Sequence, residues 1–386
     1  MAPIAAVMTG PGAGAIATIA LAGDSAQAVL RNIFRRSDGK PVDLTAGRIF
    51  LGDIVEGQQT IDQVTVGCEE PDSFAIHCHG NPLIVDRIMG LLRSRGVQLV
   101  RPEQLITRGA GDSVAAEAKL ALTTVKTVEG ATLIANQGKG GLAAKARRWL
   151  AELDSTPLEQ IAAEARQILH DSDKARPILS GCTVALVGPP NTGKSTLLNA
   201  LAGREKAIVT DVRGTTRDWV TAEIRIPPLV ATIIDTAGLD SELGASGGID
   251  HVAQEKSIEA LERADLVLLV LDASQPTDQL SRSLADRLVN RGVITVLNKA
   301  DLPHRLDPMS LPAHLRQVIH ISAKQEVGID DLTRVIREVC GVADFSLNTI
   351  VTFTDRQRAL VQRLAASGSP DQAGAWIADL LHGPII

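Results

Sequence analysis

Gly188-Pro-Pro-Asn-Thr-Gly-Lys-Ser195 lies between the apolar run Thr183-Val-Ala-Leu-Val187 and Thr196-Leu-Leu-Asn-Ala-Leu201, the latter at helical spacing. Strand, glycine loop and helix in that order predict a phosphate-binding loop. Gly188 and Gly193 let the backbone curl so that its N–H groups converge on phosphate oxygens, and the helix N-terminus adds its dipole. In this pattern Lys194 reaches the β- and γ-phosphates and Ser195 offers its hydroxyl to Mg²⁺. Asn191, Thr192, Gly193 and Thr196 complete the expected cradle.

Three further motifs follow at G-domain spacing. Ile233-Ile-Asp235-Thr-Ala-Gly238 ends an apolar strand with a carboxylate and a glycine, the pattern for metal-linked contact with a γ-phosphate. Val293-Ile-Thr-Val-Leu297 runs into Asn298-Lys299-Ala300-Asp301. The Asp301 carboxylate can accept from guanine N1–H and its exocyclic amine together. Adenine offers neither donor there and would leave a buried carboxylate unpaired, a penalty that reaches ~10⁴-fold in discrimination. His320-Ile-Ser322-Ala323-Lys324 comes next, with the Ala323 N–H expected to meet guanine O6. The four motifs in this order predict a guanine-nucleotide site holding GTP or GDP with Mg²⁺.

The chain of 386 residues, 45% hydrophobic, is long enough for two or three domains with real cores. No apolar run approaches the ~18 residues of a membrane span. The N-terminus has no basic region ahead of its apolar residues, so a signal peptide is not expected. The four cysteines, Cys68, Cys78, Cys182 and Cys340, show no zinc-type spacing and no disulfide framework. A reducing cytoplasm fits that usage. A net charge of −6 argues against strong non-specific nucleic-acid binding by the whole molecule. With no Tyr and five Phe, an aromatic base-stacking platform is not expected.

The predicted fold class is α/β: a P-loop G domain, its parallel sheet covered by helices on both faces, inserted in a helical domain behind a small N-terminal α+β domain. The expected domains are 1–100, α+β; 101–177, helical; 178–342, the G domain; and 343–386, a helical return. In the first, strands are expected at Ile4 to Met8, Ile16 to Leu21, Ile49 to Leu51 and Ile61 to Val66, with helices at Ser25 to Phe34 and Pro82 to Arg95. The Gly10-Pro-Gly-Ala-Gly14 loop lacks a dinucleotide-binding frame and reads as a tight connection. Ile76-His-Cys-His-Gly80 places His77 and His79 on one strand face, where the absence of further ligands favours a structural role. Ser113 to Gln137 reads as helical. Thr156-Pro-Leu-Glu159 reads as a helix start capped by Thr156. Asp171 to Pro177 is polar, ends in proline, and reads as a hinge into the G domain. Asp355 to Ala366 and Gln372 to Leu381 suit short helices that dock back on those before the G domain.

Pro190-Asn191 within the phosphate loop, Gly214-Thr-Thr-Arg-Asp218 and Asp235-Thr-Ala-Gly-Leu239 resemble the tRNA-modification GTPase family MnmE, also called TrmE. Thr9-Gly-Pro-Gly12, Ile61-Asp62, His79-Gly80 and Arg101-Pro102 extend the resemblance to the N-terminal region, and the order of parts agrees along the whole chain. The resemblance implies that Thr215 and Thr216 face the nucleotide, that Thr216 completes the Mg²⁺ shell with Ser195 and Asp235, and that Asn191 helps hold K⁺ against the phosphates. Such a cation neutralises transition-state charge much as an arginine finger does, an effect of ~10³–10⁵ in rate. It also implies a homodimer through N-terminal and G-domain contacts, tRNA as the macromolecular substrate and a flavoprotein partner. Leu239 stands where Ras-like proteins carry a water-orienting glutamine. Alignment back from Ala264-Asp265 brings Asp250 to the family's catalytic glutamate, behind an insertion in Gly244-Ala-Ser-Gly-Gly248. Arg217 reads as an exposed switch-loop residue.

Other positions depart from the family. The chain given ends Leu381-His-Gly-Pro-Ile-Ile386, without the family's Cys-Ile-Gly-Lys, and so reads as a divergent, C-terminally truncated member. Where the family carries an arginine, a glutamate and a lysine around a one-carbon folate, Ala20, Ala75 and Val114 stand. Tight binding of a reduced folate is therefore not expected. A working modification GTPase, a GTP-driven conformational switch that has lost folate binding and tRNA modification, and a pseudo-GTPase that binds without turnover remain as readings.

Overall fold

The computed structural model describes residues 2–40, 44–204, 220–235 and 261–385. Contacts divide the chain into two units, Met1–Gly111 and Asp112–Ile386.

The first unit contains β1 (Ile4–Val7), β2 (Ile16–Ala22), α1 (Ala26–Ile33), β3 (Phe34–Arg36), β4 (Arg48–Glu56), β5 (Gln59–Glu70), β6 (Ser73–His79), α2 (Pro82–Ser94), β7 (Gln98–Leu99) and α3 (Pro102–Ile106). Its sheet runs β3-β4-β5-β6-β2-β1-β7, antiparallel except for the β1–β7 pair. Period-two alternation sends Ala17, Ile19, Leu21, Phe74, Ile76, Val64 and Val66 to one face, where α1 and α2 bury Leu30, Ile33, Ile88 and Leu92 against them. The opposite face carries Thr18, Ala20, Ala75 and His77, with Thr18 opposite His77 and Ala20 opposite Ala75. His77 Nδ1 lies 3.0 Å from Thr18 Oγ1. His79 Nδ1 lies 2.7 Å from Asp62 Oδ1, and its backbone N–H donates to Asp62 Oδ2 at 2.8 Å. Both histidines thus have structural partners, and no cluster of metal-ligating groups exists among the described residues. The loop from Gly10 closes where the Gly14 N–H donates to Gly80 O at 2.9 Å.

The second unit begins with α4 (Ser113–Ala121), α5 (Val128–Lys139), α6 (Leu142–Ala151) and α7 (Leu158–Ser180). The stretch read as one helical region breaks into two helices, because Thr127 caps α5 by accepting from Gly130 N–H at 2.9 Å. The start of α7 also differs from expectation. Pro157, in extended backbone, holds the cap position, and Thr156 lies outside the helix. A larger correction concerns Asp171 to Pro177. This segment is the last part of α7 rather than a hinge, since Ser172, Ala175 and Ile178 continue its buried stripe and outweigh the N–H missing at Pro177. The helix ends at Gly181 (φ 84°), where a Cβ would stand 2.9 Å from Val230 O, so only glycine makes that turn.

Next come β8 (Cys182–Val187), α8 (Lys194–Arg204), β9 (Val220–Ile226), β10 (Leu229–Asp235), β11 (Leu266–Asp272), α9 (Arg282–Arg287), β12 (Val293–Asn298), β13 (Val318–His320) and α10 (Ile329–Val339). The sheet order is β13-β12-β11-β8-β10-β9. It is parallel except that the edge strand β9 pairs antiparallel with β10, whereas an all-parallel sheet was expected. The two strands are joined by only Pro227 and Pro228, too short a connection for a parallel crossover. β11 is buried along its whole length, as its unbroken apolar run requires in a doubly covered sheet. Val184, Leu186, Leu266, Leu268 and Val270 pack on one face, with α7, α8 and α10. Ala185, Val187, Val267, Leu269 and Leu271 pack on the other.

The chain closes with α11 (Asp355–Ala365) and α12 (Pro370–His382). Val361, Leu364, Ile377 and Leu381 share one core with Val114, Leu142, Trp149, Ile161 and Ile168 of the helices that precede the sheet. No helix among the described residues is long and apolar enough to cross a membrane.

Candidate guanine-nucleotide site

Parallel strands deliver their motifs to one edge. Leu186 pairs with Asp235, and Asp272 with Asn298, so β8, β10, β11 and β12 all end at the same carboxyl edge, the usual place for a ligand in an open α/β sheet. Gly188 leaves β8 at φ 146°, and a Cβ there would lie 2.1 Å from Val270 O. Gly193 has φ 92°, and its Cβ would lie 2.3 Å from Asn298 Nδ2. A side chain at Gly188 would run into the β11 backbone, and one at Gly193 into the Asn298 amide. Asn191, exposed, adopts φ 61°, a left-handed conformation that asparagine tolerates better than most residues.

Lys194 is 3% exposed, and its ammonium donates to Gly188 O at 2.8 Å and Pro189 O at 2.9 Å, carbonyls of the loop itself. Thr192, buried, donates to Pro189 O at 3.0 Å and braces the curl. Ser195 and Thr196 stand exposed on the first turn of α8.

Asn298, 2% exposed at the end of β12, joins two loops. Its Nδ2 donates to Thr192 O at 2.8 Å, and its Oδ1 accepts from Ala323 N–H at 2.9 Å. The Ala323 amide, expected to face guanine O6, is therefore turned toward Asn298. Ser322, also buried, donates from Oγ to Asp301 Oδ1 at 2.7 Å and accepts from Gln325 N–H. Asp301 itself is exposed, contrary to the buried carboxylate anticipated, and Lys324 is exposed beyond it.

Lys299 takes φ 63°, strained backbone for a residue with a long side chain. Its ammonium meets Asp272 Oδ2 at 2.7 Å. Asp272, 6% exposed, also accepts from Ser274 N–H at 2.9 Å and Ser274 Oγ at 2.7 Å. Burial alone would raise its pKa. The Lys299 ammonium and the two Ser274 donors outweigh that and hold it below the ordinary carboxylate value. Asp272 was missed in the sequence: the carboxylate ending the apolar run Leu266 to Leu271 was readable, but its place beside Asn298 follows only from the strand register.

The structure thus brings together Thr192, Gly193, Lys194, Asn298, Lys299, Asp301, Ser322 and Ala323. Asp235 closes β10 by its backbone. Thr215, Thr216, Arg217, Gly238, Leu239 and Asp250 lie outside the described residues.

Comparison with known proteins agrees with this geometry. Residues 183–299 match the family described as 50S ribosome-binding GTPase, and residues 3–108 match the GTP-binding protein TrmE N-terminus. The tRNA modification GTPase MnmE of Thermotoga petrophila is 32% identical over 403 residues, covering 94% of this chain and 88% of its own length. The protein of the same name from Enterococcus faecalis is 30% identical over 379 residues, covering 87% of this chain and 80% of its own. With a TrmE-type N-terminal region and a GTPase domain in one chain, and the likeness to the MnmE relatives running along nearly all of it, this protein is a GTP-binding, GTP-hydrolysing member of the MnmE family of tRNA modification GTPases.

Proposed function

We propose that this GTPase reads guanine through Asp301, holds the phosphates in the loop from Gly188 to Ser195, and spends GTP in tRNA wobble-uridine modification. The observation that carries the reading is the Asn298 side chain, which bonds the phosphate loop to the Ser322-Ala323 loop. One residue thereby sets the spacing between the phosphate end and the base end of a nucleotide. Asn298 is a positioning residue in this scheme rather than a base contact. With Ala323 N–H committed to it, the neighbouring Lys324 N–H becomes the donor for guanine O6. A bound base desolvates Asp301, while the Ser322 hydroxyl keeps one oxygen oriented. Asp272 does the same for Lys299.

At the phosphate end, Lys194 exchanges the carbonyls of Gly188 and Pro189 for β- and γ-phosphate oxygens and follows the charge that develops on them. Glycine at 188 and 193, each with positive φ, allows the tight curl in which backbone N–H groups can approach an anion. Ser195, exposed on the first turn of α8, would hold Mg²⁺ together with Thr216 and Asp235, and the metal would supply charge neutralisation at the phosphates. Asp250 takes the water-positioning role, one methylene shorter than the family's glutamate. The exposed Asn191, at the tip of the loop, is our candidate ligand for K⁺.

Phosphate release measured in matched KCl and NaCl tests the last point. Turnover several-fold faster in K⁺ is expected, and Asn191→Ala should erase the difference. Equal rates in both salts would remove K⁺ from the scheme. The chain works in the cytoplasm in this reading, as a homodimer with tRNA and a flavoprotein as partners.

The registry of Ala20 against Ala75 favours a second reading, a GTP-driven switch without folate chemistry. Two alanines side by side on the face away from the helices offer neither a carboxylate for a pterin nor a cation for a glutamate tail. Val114 is fully buried among apolar side chains. Calorimetry with 5-formyltetrahydrofolate should show no saturable binding at micromolar protein, because each missing charge-assisted bond forfeits ~1.5–3 kcal/mol. Micromolar affinity would restore folate to the N-terminal unit and remove the ground for this reading.

A further inference from the structure

The four cysteines fall into two unlike pairs. Cys68 and Cys78 sit apart in the N-terminal sheet, each donating to backbone carbonyls: Cys68 to Leu44 O and Glu70 O, Cys78 to Ala17 O. Burial pushes both thiols up, away from the reactive thiolate. Cys182 and Cys340 are 158 residues apart in sequence, yet their sulfurs lie 3.6 Å from each other. They border a cavity of about 340 Å³ that Arg176, Gly181, Asp265 and Val339 also line. Cys182 is buried and Cys340 half-buried. A proton shared between the sulfurs favours the thiolate on Cys340 and keeps the hydrogen on Cys182, whose thiol burial raises further.

Their place in the fold gives the contact a consequence. Cys182 opens β8, one residue after the chain leaves α7 at Gly181, and Cys340 follows the last residue of α10, just before Gly341. These are the points where the chain enters and leaves the nucleotide-binding sheet domain. We propose that Cys182 and Cys340 form a peroxide-sensitive dithiol that closes to a disulfide and clasps the G domain at its base, a modification site separate from the nucleotide site.

Bond formation needs the sulfurs to approach from 3.6 Å to ~2.05 Å. The Cys340 thiolate attacks hydrogen peroxide, the O–O bond breaks, and Cys340 becomes a sulfenic acid. The hydroxide released takes up the proton Cys340 had lost and leaves as water. The Cys182 sulfur then attacks that sulfenic sulfur, and the second hydroxide leaves with the Cys182 proton. Two thiols and one peroxide give one disulfide and two waters; the sulfurs are oxidised and the peroxide oxygens reduced. The cavity beside the pair gives a small hydroperoxide its approach, and the isolated Cys68 and Cys78 have no partner sulfur in contact.

The test treats the reduced full chain with equimolar hydrogen peroxide, blocks remaining thiols with a maleimide after unfolding, and reads intact mass and peptides. The expected result is two maleimide adducts rather than four, loss of two hydrogens, and one linked peptide pair containing Cys182 and Cys340, all reversed by dithiothreitol. The disulfide encloses the whole G domain, so oxidation should also raise the thermal midpoint by roughly 5–10 °C. Cys340→Ser should abolish both effects. Cys182→Ala, which keeps the buried position apolar, should instead leave a trappable sulfenic acid on Cys340. Four intact thiols after peroxide, a link through Cys68 or Cys78, or oxidation of Cys340 in the wild-type chain with Cys182 still free would overturn the proposal.

Discussion

The Asp301→Asn variant is expected to lose GTP affinity by about 10²–10⁴-fold and to gain affinity for xanthosine triphosphate. In the proposed scheme Asp301 supplies two charge-assisted acceptors to the guanine N1–H and exocyclic amine, each worth ~1.5–3 kcal/mol. Asparagine keeps one acceptor and turns the other into a donor. Guanine then meets N–H against N–H, whereas xanthine, with a carbonyl in place of the amine, meets a complementary pair. The fold should survive, because Asp301 is exposed and an asparagine oxygen can still accept from Ser322 Oγ. Competition binding with GTP, xanthosine triphosphate and ATP checks this. An unchanged preference for GTP would mean that Asp301 does not read the base.

The second large effect is on stability and concerns the helical core. Glu117 on α4, 4% exposed, accepts from Arg356 Nε at 2.8 Å and Nη2 at 2.7 Å, from Thr354 Oγ1 at 2.9 Å and from Gln357 Nε2 at 2.7 Å. The last three residues belong to the segment that returns after the G domain, so one carboxylate fixes the return. Glu117→Ala leaves Arg356 largely desolvated without its counter-charge and should cost about 3–5 kcal/mol. The paired change Glu117→Leu with Arg356→Met removes both charges together and should cost far less, for an apolar pair of similar volume is often neutral or better. Urea unfolding of the three chains decides it. A loss below ~1 kcal/mol for Glu117→Ala would show that water or another group takes over the carboxylate's role.

The nucleotide loop was legible because its chemistry admits few residue types. Only glycine fits at Gly188 and Gly193, and a lysine followed by a hydroxyl at the helix start leaves little choice of ligand. The alternating strands of the first unit and the unbroken apolar run of β11 were legible for the same reason, since burial on one face or two imposes a period. What the sequence hid were tertiary choices among equivalent partners. Nothing local tells that the Ala323 N–H turns to Asn298 Oδ1, nor that Asp272 holds Lys299 across the sheet edge. The stretch before Pro177 misled because polarity and a proline mimic a linker. Its buried stripe becomes visible only once α7 packs against the sheet and the returning helices. Glu117, a lone acid in an Ala-rich helix, gave no sign of the arginine that meets it far downstream.

Titration calorimetry of the full chain with GDP and Mg²⁺, run beside ADP under the same conditions, is the most direct measurement of a guanine-reading phosphate-loop site. Saturable one-to-one binding of GDP is expected, with ADP weaker by at least ~10²-fold, because adenine presents no donor pair to Asp301. Equal affinity for the two nucleotides, or no binding of either, would contradict it.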